Sequence, residues 1–166
     1  MHFLALYGYP LLFIWSLFEG EFGLMFAGLL VKKGVFEYKE VLLIAISGAI
    51  LGDLITFFSA KFIKRKFDNE NISKWFKKYG GLVIVFERFI YGTHIPTLIF
   101  VSLSGYKFSK FLIFDIIGVV LWAFCFVSIG YIFGERAVDL VIFIQQHIFI
   151  FIILVAMILV IRKKFI

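Results

Sequence analysis

Glu87-Arg88-Phe89-Ile90-Tyr91-Gly92-Thr93-His94-Ile95-Pro96 lies inside an apolar run over residues 82–101. Ionisable groups, a glycine and a proline thus interrupt a stretch long enough to cross a bilayer. A second interruption, Glu19-Gly20-Glu21, separates the apolar runs 3–18 and 22–31. A charge at bilayer depth costs about 2.5–3.5 kcal/mol on insertion scales. Such groups pair with one another or line a watery cavity, and the breaks predict segments that enter the membrane and turn back. A single kinked spanning helix over 82–101 is the alternative.

Composition supports a membrane solvent. Of 166 residues, 63% are hydrophobic and 24 are Phe, and the mean hydropathy is +1.04. Soluble domains are about 45–50% apolar. The long runs suit helices better than barrel strands, which alternate apolar and polar residues. The net charge of +6 is concentrated in Lys61, Lys64, Arg65, Lys66, Lys74, Lys77 and Lys78, with Arg162, Lys163 and Lys164 closing the chain. This distribution reads as positive-inside topology and attraction to anionic lipid. Nucleic acid is not an expected partner, because no aromatic-interleaved basic surface sits on a soluble module. Cys125 is the sole cysteine, which excludes an internal disulfide or a multi-Cys metal site. The first residues lack a Lys/Arg-rich leader and a small-x-small cleavage site, so residues 3–18 are expected to be retained.

The expected fold is all-α, a polytopic membrane protein with two opposed re-entrant helical hairpins and three to four transmembrane helices in an inverted repeat. Residues 1–166 form one membrane domain. Its first half, 1–60, carries an apolar segment over 3–18, short for a span but able to cross if tilted, a re-entrant segment over 19–31 and a span over 41–60. A basic interfacial loop over 61–80 follows, with a surface helix near 68–79. The second half, 81–134, carries a re-entrant segment over 82–104 and a span over 111–133. Residues 135–166 supply a last span over 138–161 and the basic tail. A shift of 70 residues brings Leu42, Gly48 and Leu51 onto Leu112, Gly118 and Leu121, as in transporters built from repeats. Placing the basic tail inside leaves Lys32, Lys33, Lys39 and Arg136 outside and puts both termini in the cytoplasm.

Several residues carry candidate chemistry. Glu19 and Glu21 are carboxylates positioned to take and release protons, or else a water-exposed surface loop. Asp53 follows Gly48 and Gly52, which permit close helix packing, and Arg88 is its natural partner. The planar fork of Arg88 suits a pair of phosphate oxygens; a structural salt bridge to Asp53 or a glutamate is the alternative. Glu87 is placed at the mouth of the hairpin. His94 is a ligand or a hydrogen-bonded packing residue. Asp115 reads as a helix-start residue at the interface, and Trp122 as packing. His2 and His147 are peripheral and build no metal site with His94.

The sequence resembles the DedA membrane proteins, also called the VTT or SNARE-associated family. Gly20-Glu21-x-x-Leu24-x-x-Ala27-Gly28, with Gly34 following, resembles the family's Gly-Glu re-entrant motif. Gly48-x-x-x-Gly52-Asp53 resembles its Gly-Asp helix, and Arg88-Phe89-Ile90-Tyr91-Gly92-Thr93-His94 its Arg-Phe-x-Pro-Gly-x-Arg motif. Gly105, Phe111, Gly118, Trp122 and Gly130-Tyr131-x-x-Gly134 resemble its closing pattern. The resemblance implies opposed re-entrant hairpins and lipid transport, with undecaprenyl phosphate or phosphatidylethanolamine as substrate and a dependence on the proton motive force. It implies a bacterial inner membrane location and no cofactor. It places proton coupling on Glu19, Glu21 and Asp53, and substrate binding on Arg88, Tyr91, Gly92 and His94. Gly28, Gly48, Gly52, Pro96, Gly105, Gly118 and Trp122 are then structural. The chain departs from the pattern where His94 replaces an arginine, where Tyr91 replaces a proline, and where the acids close up to Glu19-Gly20-Glu21.

The expected function is therefore a flippase or scramblase for a phospholipid or polyprenyl phosphate, coupled to protons and not an enzyme. A proton-coupled antiporter of small solutes or ions is the rival reading. A lipid phosphatase is a weaker one: Arg88-x5-His94 echoes a phosphatase signature, but Leu98 stands where an acid is needed and no Ser-Gly-His element exists. A non-transporting assembly factor would tolerate loss of every buried charge. The sequence leaves the oligomeric state, a homo-oligomer included, open.

Overall fold

The computed structural model describes residues 2–18, 20–62, 79–90 and 92–136, with positions 143 and 147. The expected surface helix near 68–79 and the last span over 138–161 fall almost entirely outside the described residues, as do Glu19 and Tyr91. The described residues are helical, joined by short turns, with no strand among them. They form α1 (His2–Ser16), α2 (Glu21–Lys32), α3 (Tyr38–Ala60), α4 (which includes 79–86), α5 (His94–Leu103) and α6 (Phe108–Phe133).

Two helices have the length and apolarity of membrane spans, α3 and α6. With 23 and 26 residues, they measure about 35 and 39 Å at 1.5 Å per residue, enough for a hydrocarbon core of about 30 Å. Their surfaces show which solvent they meet. Leu43, Leu51, Ile55 and Phe58 on α3, and Ile113, Ile117, Leu121 and Phe124 on α6, point outward, while Asp53 and Asp115 point inward. Apolar outside and charged inside is the arrangement of a chain dissolved in lipid.

The predicted breaks are present. After α1 the chain turns at residues 17–18 and folds back, so that Trp15 packs by Gly20 and Gly23 while Gly8 and Tyr9 meet Phe36 beyond the far end of α2. After α4 comes a 3₁₀ turn, Glu87–Phe89, then extended backbone at Ile90 and a left-handed Gly92 with φ 78°. A new helix starts at His94. The segment is broken, not kinked. Pro96 lies in the first turn of α5, where a missing N–H costs no helical bond.

Crossings without side chains weave the elements together. Gly48 and Gly52 of α3 lie against the backbone of Phe13 and Leu17 at the end of α1. Gly118 of α6 lies against Ile84 and Val85 of α4, where an added Cβ would stand 3.1 Å from the Val85 Cα. Gly28 of α2 and Gly130 of α6 face each other's backbones so closely that neither tolerates a methyl group. Ser102 of α5 donates a 2.6 Å hydrogen bond to the Phe57 carbonyl of α3. The first arm of each broken segment thus packs on the long helix that follows it in sequence. The second arm packs on the other long helix.

Two apolar cores result. One gathers Leu24, Met25, Val41, Ala45, Ala49, Val119, Trp122 and Val127. The other gathers Phe57, Ile84, Leu98, Val101 and Phe111, with the Phe57 and Phe111 rings stacked at 4.4 Å. Asp53 falls between Ala49 of the first and Phe57 of the second, and Asp115 between Phe111 of the second and Val119 of the first. The charged side chains sit at the seam.

Candidate functional site

Five ionisable side chains among the described residues meet at that seam: Asp53 from α3, Glu87 and Arg88 from the 3₁₀ turn, His94 from the start of α5, and Asp115 from α6. Each is at most 4% exposed. Their backbone setting explains the convergence. The break after α4 frees the chain from the helical spiral, and Thr93 Oγ1 donates to the Glu87 carbonyl at 2.8 Å and to the Ile90 carbonyl at 2.9 Å, closing the loop on itself. Arg88 and His94, six residues apart, are thereby turned to the same side.

Arg88 Nη2 donates to Asp53 Oδ2, and the same nitrogen lies 3.5 Å from Asp115 Oδ1. The guanidinium carbon stands 5.5 Å from the Trp122 ring centre, so an aromatic face covers the cation. The packing expected of Trp122 therefore includes a direct contact with the charge. His94 Nδ1 is 2.6 Å from Glu87 Oε1 and Nε2 is 2.9 Å from Asp53 Oδ1. Asp53 thus bonds the cation and the imidazole through different oxygens.

The hydrogen-bond chain constrains the protons. A carboxylate only accepts, and each ring nitrogen either donates or accepts. Two bonds among Glu87, His94 and Asp53 therefore need two protons between them. Either an imidazolium donates to two carboxylates, or a neutral imidazole sits between one carboxylate and one carboxylic acid. Both assignments give the three groups a net charge of −1, which Arg88 cancels.

The structure differs from the sequence reading at Glu87 and Asp115. Glu87 is not at a mouth but buried and bonded to His94. His94 is a buried residue hydrogen-bonded through both ring nitrogens, which face carboxylates, and an incoming anion would have to displace one of them. Asp115 is no helix start. α6 begins at Phe108, a turn earlier than the apolar run suggests, which carries Asp115 two turns into the helix and to 0% exposure. The signal that would have found Asp115 is its place as the sole acid between residues 88 and 134. Leu98, where a phosphatase would need an acid, belongs to the apolar core.

Glu21 lies elsewhere. It opens α2, where the helix dipole favours a negative charge, and lines a cavity of about 360 Å³ with Leu11, Ile14, Trp15, Phe18, Gly20 and Phe22. Leu11, Trp15 and Phe22 are shared with an apolar cleft of about 520 Å³ between α1 and α2. No ion pair joins Glu21 to Arg88 among the described residues. Gly92 is exposed in its turn, Gly105 ends α5 with φ 73°, and no group suited to hold a metal occurs among the described residues.

The VTT domain matches residues 18–132, from the first break to the last turn of α6. The chain belongs to the VTT-domain family. Among curated relatives, inner membrane protein YohD of Escherichia coli is 30% identical over 152 residues, covering 85% of this chain and 78% of that protein. Undecaprenyl phosphate transporter A of Staphylococcus aureus is 26% identical, covering 77% of this chain and 75% of its own length. Inner membrane protein YqjA of Escherichia coli is 24% identical over 73% of this chain and 60% of its own. No solved structure matches the chain. This VTT domain is a membrane protein: its relatives carry that designation, and the charges on its spanning helices' midsections point inward and their apolar side chains outward. Both breaks, both spans and all five clustered side chains fall within the matched residues.

Proposed function

We propose that this VTT-domain protein moves a lipid with a phosphate-bearing headgroup across the bilayer, a phospholipid or a polyprenyl phosphate, in exchange with protons. The observation that carries the reading is the buried cation between carboxylates of two spanning helices. Arg88 is the one fixed positive charge at the seam among the described residues, and its fork matches phosphate oxygens. A phosphate takes Arg88 only if Asp53 lets go, and Asp53 lets go on protonation. Anion binding and proton uptake are then one event. His94 relays charge between Asp53 and Glu87, while Glu19 and Glu21 serve protons at the first break; Tyr91 and Gly92 shape the turn against the headgroup.

The apolar cleft between α1 and α2 favours a lipid over a small solute, since it offers a bed for acyl chains next to a carboxylate. The packing pattern supports two opposed re-entrant hairpins in an inverted repeat: α1 on α3 and α4 on α6, with α2 and α5 exchanged between halves. Under that reading the Lys-rich loop and the basic tail face the cytoplasm of a bacterial cell, while α1, folded back so that Tyr9 meets Phe36, starts on the outer side, not in the cytoplasm as the charge pattern alone suggests. The name of the staphylococcal relative points to undecaprenyl phosphate as the first substrate to try.

The test is flipping of fluorescent phosphatidylethanolamine, phosphatidylglycerol and a polyprenyl phosphate in proteoliposomes, with and without a pH gradient. Transport of at least one lipid, altered by the gradient and lost in Arg88→Ala, is the expected result. Counterflow of a small anion without lipid movement would favour the antiporter instead.

A further inference from the structure

Asp115 is the one carboxylate of the seam that the Glu87–His94–Asp53 chain does not use. It is fully buried in the middle of the fold, and neither of its oxygens has a hydrogen-bond partner among the described residues. Its nearest charge is Arg88, 3.5 Å away and bonded to Asp53. A bare carboxylate in a dry interior, with no donor on either oxygen, is among the costliest states a side chain can adopt.

Charge counting gives the same direction. Arg88 cancels the net charge of Glu87, His94 and Asp53, so an ionised Asp115 leaves the described seam at −1 and a protonated one leaves it neutral. The elements packed against α6 bring little else to offset it. α3 contributes Asp53 at the seam, with Lys39 and Glu40 exposed at its start. α2 contributes Glu21, in its own cavity, and Lys32, whose Nζ donates to the Ile132 carbonyl at the far end of α6. The turn before α5 contributes Glu87, Arg88 and His94.

We propose that Asp115 is the second counter-ion of Arg88, a carboxylic acid while Asp53 holds the guanidinium and a carboxylate once Arg88 leaves Asp53. The exchange balances. As Arg88 turns, the O–H bond on Asp115 breaks and its proton forms an O–H bond on the vacated oxygen of Asp53, so the charge of the seam does not change. Asp53 belongs to α3 and Asp115 to α6, so the position of one guanidinium records which long helix holds the 3₁₀ turn. Its use during lipid movement rests on the transport reading; the protonation states do not.

The experiment is infrared spectroscopy of the full chain in phosphatidylcholine vesicles at neutral pH, in H₂O and D₂O. The carbonyl stretch of a protonated carboxylic acid is separate from carboxylate bands and shifts in D₂O. Wild type should show such a band, and Asp115→Asn should lose intensity from it. Asp53→Asn should lose intensity too, because a freed Arg88 recruits Asp115 and ionises it; this variant keeps the assignment testable if Asp115→Asn does not fold. The Glu87–His94–Asp53 chain contributes an acid band of its own in one of its two proton assignments, so the reading is the intensity lost: an Asp115→Asn or Asp53→Asn spectrum that keeps the full wild-type band overturns the proposal. Intensity lost in both variants of a protein that moves no lipid upholds it and overturns the transport reading alone. Transport with the full band kept in Asp115→Asn does the reverse.

Discussion

If Arg88 has two carboxylates within reach, removing one should be cheap and removing both should not. The perturbation is a double-mutant cycle of Asp53→Asn and Asp115→Asn, amides that keep shape and remove charge. Asp115→Asn replaces an unbonded acid with an isostere and should shift stability by under about 1 kcal/mol. Asp53→Asn removes a charge-assisted bond, about 1.5–3 kcal/mol, but Asp115 stands 3.5 Å from the guanidinium and can replace it. The double variant leaves a cation whose side chain is 1% exposed without an acidic neighbour on either long helix. Breaking a buried pair in this way costs about 3–5 kcal/mol. The double variant should therefore be worse than the sum of the singles by about 1–2 kcal/mol, a five- to thirty-fold change in the folding equilibrium. Reversible unfolding in mixed micelles, followed by tryptophan fluorescence, measures it. Additivity within about 0.5 kcal/mol would show that Asp115 and Asp53 do not share Arg88, and would refute the reasoning.

Arg88→Lys should insert and fold yet lose more than ten-fold in lipid flipping, because an ammonium cannot reproduce the fork; near-normal flipping would reduce Arg88 to a charge pair. Gly28→Val should push α2 off α6, where Gly28 already meets the Val127 carbonyl and the Tyr131 nitrogen, and destabilise by about 1–3 kcal/mol. Gly34→Asn, in open space at φ 70°, should unfold within about 0.5 kcal/mol of wild type, since asparagine tolerates the left-handed region. In a Cys125→Ala background, a cysteine at residue 34 should label from outside and one within 69–74 from the cytoplasm. Labelling of both from one face would sink the inverted-repeat reading.

Much of this fold was legible because bilayer chemistry leaves few choices. An apolar run of span length with a glycine pair has to be a packed helix, and α3 is one. The breaks were legible from the cost of charges at Glu19-Gly20-Glu21 and Glu87-Arg88. The Asp53–Arg88 pair followed from the need of each for an opposite charge. What the sequence did not show is what depends on exact helix ends and on the path of a loop. Asp115 was read as interfacial because the apolar run starts at Phe111; three residues of helix added at Phe108 carry it inside. The side of the turn to which Glu87 points is set by a 3₁₀ turn and two bonds from Thr93, which no periodicity predicts. Glu21 was grouped with the other acids because they share a chemistry, yet it opens α2 and lines the α1–α2 cavity instead.

The same residues hold the seam together and carry its proposed function, and this decides which variants are informative. Asp53→Ala opens a void and removes a partner of both Arg88 and His94 at once, so lost transport in that variant says nothing about protons. Amides at Asp53 and Asp115 retain volume and change only charge. If the seam is purely structural, these amides should alter stability and transport in proportion. If Arg88 moves between two counter-ions, Asp115→Asn should stay near wild type in stability while its transport loses dependence on the pH gradient, because the proton exchange between Asp115 and Asp53 is then gone. A structural ion pair has no means of producing that separation of stability from coupling.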